Sequence, residues 1–196
     1  MTAFVEPLDI ARVERGEAGE DAQYLFRMWR ENKGLIVHDQ RMTWISRRLM
    51  LFVPSTCKND VPKSTFIGRQ TVLRHYFPDA TDTPQPPHCL PLDYRQRQAF
   101  GYCAANQREP WFDIQRTGDL LGENTPDLTL ERLILKFHTK SGFERLFCLV
   151  KLVSENGQCG LSDPRYPQPS FPQQSGFRLS KQVRRRPSAG HVDMRV

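Results

Sequence analysis

Residues 128–139 (LTLERLILKFHT) and 143–153 (FERLFCLVKLV) are two β-prone runs separated by a Lys-Ser-Gly turn. Side chains alternate along a strand, so Phe147, Leu149 and Val153 face one way while Leu146, Cys148, Val150 and Leu152 face the other. Both faces of this hairpin are apolar. A sheet containing it needs a cover on each side, which excludes a fold with one face open to water and asks for helices from two parts of the chain.

Two segments can supply those covers. Ala22, Leu25, Phe26 and Trp29 recur at i, i+3, i+4 and i+7, which predicts a helix over residues 21–33 with Glu20 and Asp21 at its positive end and Gly34 as its stop. The second cover is the stretch 70–106. It holds a short helix at 70–77 ended by Pro78, a proline-rich loop, and a helix of about 14 residues opening at Pro91. Gly101 lies inside that helix at a cost of about 1 kcal/mol relative to alanine, and the close approach of another backbone would explain it. Residues 39–47 read as a further short helix. The runs 49–53 and 64–69 read as an antiparallel pair, and 111–117 as the strand after the long helix. Residues 1–20 read as a flexible lead-in, 21–154 as the folded domain, and 155–196 as a proline-rich basic tail expected to be disordered.

The expected fold is therefore α+β: five antiparallel strands, helices inserted between the second and third, and an N-terminal covering helix. That order resembles the PAS sensory fold. The residues that carry the resemblance are Gly101-Tyr102 in the long helix, Pro110 before the third strand, and Glu131-Arg132-Leu133 in the fourth, with Lys136 where the similar sequences read proline. Over about residues 21–154 the chain is similar to bacterial PAS-like sensory and regulatory proteins. The resemblance implies signal transduction by a cytoplasmic domain that binds a small molecule or a protein partner without catalysis. A homodimer through the amphipathic N-terminal helix is the simplest output it implies.

Composition narrows the remaining classes. No run approaches the roughly 20 apolar residues of a membrane span, and the acidic N-terminus is unlike a signal peptide. Of the formal charge of +6, residues 163–196 carry +5. The body is nearly neutral, so the positive total should not be read as a basic domain made for nucleic acid. Lys181, Arg184, Arg185 and Arg186, interleaved with Phe171 and Phe177, give the alternative reading of a nucleic-acid-associated factor acting through its tail. The five cysteines are odd in number and form no close pair, which argues against a disulfide framework or structural zinc.

The sequence contains no G-x-S-x-G, H-E-x-x-H, P-loop or dinucleotide-binding motif. The expectation is a non-enzyme, with a small enzyme of unrecognised site as the remaining alternative. The cofactor is unknown from sequence: His75 and His88 are the candidate haem ligands, and Cys103 lacks the motif of a flavin photoreceptor. Tyr76, Phe100, Tyr102 and Trp111, with His75, are placed to line a ligand pocket or simply to pack. Arg132 and Arg145 could grip an acidic ligand, or pair with Glu131 and Glu144 across neighbouring strands, which is the reading preferred here. Cys148 and His138 are the one Cys/His combination that the final hairpin could bring together.

Overall fold

In chain order the elements are β1 (Phe4–Pro7), α1 (Ala11–Glu14), α2 (Glu20–Glu31), α3 (Gln40–Ile45) continued by a 3-10 turn (Ser46–Arg48), β2 (Leu49–Phe52), β3 (Ser64–Ile67), α4 (Val72–Tyr76), α5 (Leu92–Asn106), β4 (Trp111–Arg116), β5 (Leu128–His138), β6 (Glu144–Glu155) and β7 (Gln158–Cys159). The computed structural model describes residues 2–55, 61–76, 90–121 and 126–159. Met1–Leu161 form one unit. The tail expected from residue 155 is corrected at its start, where Glu155 ends β6 and Gln158–Cys159 form β7; its remainder, residues 160–196, lies outside the described residues.

The sheet is antiparallel throughout and runs β1-β4-β5-β6-β2-β3, with β7 folding back on the end of β6. Its centre is the β5–β6 hairpin. Gly142 turns it at φ 81, and the Thr139 amide donates to the Phe143 carbonyl at 2.9 Å, closing the Lys-Ser-Gly loop. The first strand of the expected five, β2, lies beside the last, β6, so the chain between β3 and β4 must pass from one side of the sheet to the other.

Both faces are covered. On one, Leu25 and Phe26 of α2, Val13 of α1, and Met42 and Ile45 of α3 meet Leu133, Leu135, Phe137, Phe147 and Leu149. On the other, Tyr102 and Ala105 of α5 meet Phe52, Ile134, Leu146 and Cys148. The apolar stripe of α2 is thus buried against its own sheet, as the cover expected for one face. Trp29 packs as expected, and its indole N–H also donates to the Lys136 carbonyl at 2.9 Å. Gly34 ends the α2 connection with φ 83, and its amide donates to the Trp29 carbonyl at 2.7 Å.

The expected lead-in of residues 1–20 is corrected by β1 and α1. β1 pairs with β4 from Phe4↔Arg116 to Pro7↔Asp113, and its Val5 packs with Leu90 and Tyr94 at the start of α5. A four-residue strand carrying Glu and Pro shows little periodicity, and only the neighbouring edge of β4 gives its backbone partners. Gly68 marks the end of β3 for a steric reason: a Cβ there would lie 2.3 Å from the Arg47 carbonyl oxygen.

Phe137 is fully buried and its ring lies 4.6 Å from that of Phe147 at the centre of the α2-covered face. Phe137→Ala is expected to lose about 3–5 kcal/mol of stability. Urea unfolding checks this as a lower midpoint with an unchanged slope.

Candidate functional site

The pattern WFDIQR in β4 alternates, so Trp111, Asp113 and Gln115 project from the side opposite Phe112. Elsewhere such a polar side would face water. Here α5 lies over it, and the result is a charged cluster inside the protein. Asp113 is 0% and Arg132 3% exposed, and the two are directly opposed on β4 and β5.

Every acceptor site of that carboxylate is engaged. Arg132 Nη2 donates to Asp113 Oδ2 at 2.5 Å and Arg132 Nε to Oδ1 at 3.1 Å, a two-point fork. Trp111 Nε1 donates to Oδ2 at 2.7 Å and Gln115 Nε2 to Oδ1 at 3.1 Å. The cluster then ties to the helix above. Gln98 Nε2 donates to Gln115 Oε1 at 2.9 Å, and Arg132 Nη2 donates to the Gln98 carbonyl at 3.2 Å. The Tyr102 ring lies 4.9 Å from the Arg132 guanidinium carbon, and its hydroxyl donates to Cys148 Sγ at 3.8 Å.

Gly101 explains how α5 sits so low on this cluster. A Cβ at that position would be 2.5 Å from Trp111 Nε1 and 3.0 Å from Arg132 Nη2. The approach is therefore to two side chains, not to another backbone as the sequence suggested. Farther along α5, Lys136 Nζ donates to the Asn106 carbonyl at 3.1 Å and pairs with Glu144 at 2.8 Å. A cation thus holds the C-terminal end of the helix, where the macrodipole favours one.

Burial sets the protonation behaviour. Desolvation pulls the Arg132 pKa down, but the facing Asp113 carboxylate, aided by Tyr102, outweighs it and the net direction is up. Burial pushes the Cys148 thiol up to about 11 against the opposing pull of Arg132 and the Tyr102 hydrogen bond. Tyr94 is raised to about 12 by burial, and Tyr102 is raised well above its ordinary value for the same reason. A thiol held protonated is poorly placed to attack a substrate. The arrangement is suited to holding α5 at one height and register on the sheet.

The structure brings together four of the sequence candidates. Tyr102, Trp111 and Arg132 share the cluster, and Phe100, 59% exposed, packs its ring 5.1 Å from that of Trp111 at the rim. His75 and Tyr76 are elsewhere. The Tyr76 hydroxyl donates to Glu155 at 3.0 Å with the His75 ring 4.8 Å away, and Glu155 lies roughly 17 Å along β6 from Val150, the residue opposite Arg132. Cys148 faces Ile134 and His138 faces Glu144, so these two do not meet.

The cross-strand pairs differ from the expected ones. Arg132 takes Asp113, Glu131 meets Lys151 at 3.5 Å and Arg12 at 3.6 Å, and Arg145 donates to the Glu144 carbonyl rather than to its carboxylate. His88, Lys181, Arg184, Arg185 and Arg186 lie outside the described residues. Asp113, Gln115 and Gln98 are the members that sequence reading missed. Their signal was the period-two polarity of WFDIQR, which by itself reads as a solvent face.

Comparison of the chain with protein-family models, with curated proteins and with solved structures returned no match. Among the described residues no cluster of His, Cys, Asp and Glu is placed to hold a metal ion, and no helix is long and apolar enough to cross a membrane.

Removing one member of the buried pair strands the other. Asp113→Leu is expected to cost about 3–5 kcal/mol, whereas Asp113→Leu combined with Arg132→Met recovers most of that loss. A double-mutant cycle by urea unfolding reads the coupling. The raised thiol adds a pH dependence: the folded state keeps a proton that the unfolded chain releases, so stability is complete below about pH 9 and falls as pH rises toward 11. Cys148→Val should flatten that part of the unfolding-midpoint profile, which urea titrations between pH 8 and 11 would show.

Proposed function

We propose that this chain is a PAS-like regulatory domain that acts by association with a protein partner and not by turnover. The observation that carries the reading is the arrangement of the five strands β3-β2-β6-β5-β4, with α5, inserted between β3 and β4, covering one face and α2 the other. This arrangement supports the resemblance drawn from Gly101-Tyr102, Pro110 and Glu131-Arg132-Leu133, and two of those segments meet beneath α5. Gly101 lets α5 descend onto the sheet, Tyr102 stacks on Arg132, and Arg132, paired with Asp113, holds the Gln98 carbonyl of α5.

The layer beneath α5 favours a protein partner over a small molecule. Arg132, the sequence candidate for forking an acidic ligand, is already bound on two points by Asp113, and Tyr102 is engaged with Cys148. A small acid would have to displace a bidentate, buried carboxylate to enter. The same network gives α5 a defined seat from which a partner can lift or hold it, and this is a discrete element for a regulatory equilibrium to act upon.

Native mass spectrometry with an absorption spectrum of the freshly purified full chain tests the proposal. The expected result is a chain without chromophore that takes up a second polypeptide as a discrete complex at low salt. A stoichiometric haem or flavin, or a chain that runs alone in every preparation from its source, would overturn it.

A further inference from the structure

Among the described residues, the helical layer over the α2-covered face stops short of the sheet's β3 edge. One row of side chains crosses four strands there: Leu135 and Phe147 are buried, Leu51 is half-buried, and Phe66 on β3 is 42% exposed. Phe52 pairs with Leu146, and continuing that register by one residue places exposed Val53 beside Arg145. The last covering element is the turn after α3, whose Arg47 carbonyl rests against Gly68, two residues along the same face from Phe66. Trp44, 46% exposed, stands one turn back with the Arg47 guanidinium stacked 4.4 Å from its ring centroid. At the other end Arg145 stacks 4.3 Å from the centroid of exposed Phe143. An apolar shelf therefore lies at the foot of α3, bounded by Arg47 and Arg145, with exposed Lys63 at the β3 margin. Among the described residues none of these three cations meets a carboxylate.

We propose that this shelf docks an acidic amphipathic helix of another protein, which completes the helical layer over β2 and β3. Its apolar side would cover Phe66, Leu51 and Val53, and its carboxylates would meet Arg47, Arg145 and Lys63. Charge selects this occupant. A second copy of the same shelf would set arginine against arginine, and the chain's own tail, at +5, has the wrong sign. The proposal goes beyond the regulatory reading and does not depend on what α5 does on the opposite face.

A random 16-residue peptide library selected on the full chain tests it, using the wild type and an Arg47→Glu/Arg145→Glu variant whose thermal melting is unchanged. The expected outcome is enrichment of acidic peptides with apolar residues at helical spacing. Their affinity should fall at least tenfold on the charge-reversed variant and on Phe66→Ser, and should weaken with salt. Selected peptides that are basic, that bind the variants equally, or that do not rise above background would overturn the proposal. So would flotation of the chain with phosphatidylserine vesicles that is lost in Phe66→Ser. A dimer by light scattering that the same substitution abolishes would assign the shelf to self-association and overturn it too.

Discussion

Two paired strands that are apolar on both sides cannot leave either side against water, and the rest of this architecture follows from that constraint. β5 and β6 are paired over eleven positions, and burying both of their faces requires two helical layers. The chain supplies one layer before β2 and the other between β3 and β4. Placing β2 next to β6 then puts the hairpin in the middle of the sheet, where both of its edges are paired as well.

The two layers are chemically different. The α2 side is an aliphatic and aromatic core of the ordinary kind, in which position is set by packing. The α5 side contains an ion pair, and packing there is subordinate to hydrogen-bond geometry: the Asp113 carboxylate accepts from three side chains, and the Arg132 guanidinium also reaches the backbone of α5. A buried pair of this kind contributes little net stability compared with a well-packed apolar pair, but an arrangement that leaves either charge alone costs several kcal/mol. It therefore discriminates against alternative heights and registers of α5. Gly101 and Lys136 act toward the same end, one by removing a Cβ that would strike Trp111 and Arg132, the other by engaging the carbonyl of Asn106.

Much of this was legible in local pattern. The hairpin, its turn, the α2 stripe with its Gly34 stop, and the long helix after Pro91 follow from period, turn chemistry and backbone sterics, which depend on residues near one another in sequence. β1 was not legible, because a short edge strand owes its hydrogen bonds to β4, more than a hundred residues away. The partner of Arg132 was not legible either. Glu131 and Glu144 were the acids close at hand, whereas Asp113 becomes its neighbour only through the β4–β5 register.

By itself, the sequence determined that there is a central two-sided sheet, that helices come from both flanks of it, and that Tyr102, Trp111 and Arg132 lie on segments able to converge. Alternation along a strand and periodicity along a helix are properties of the covalent chain. Tertiary structure alone decided which side of β4 is buried, and so whether Asp113 is a solvated acid or the anchor of a charged cluster. It also decided where the α2-side helices stop, leaving Phe66 and Trp44 uncovered. Burial is a property of what lies opposite, and a residue's own neighbours along the chain do not specify it.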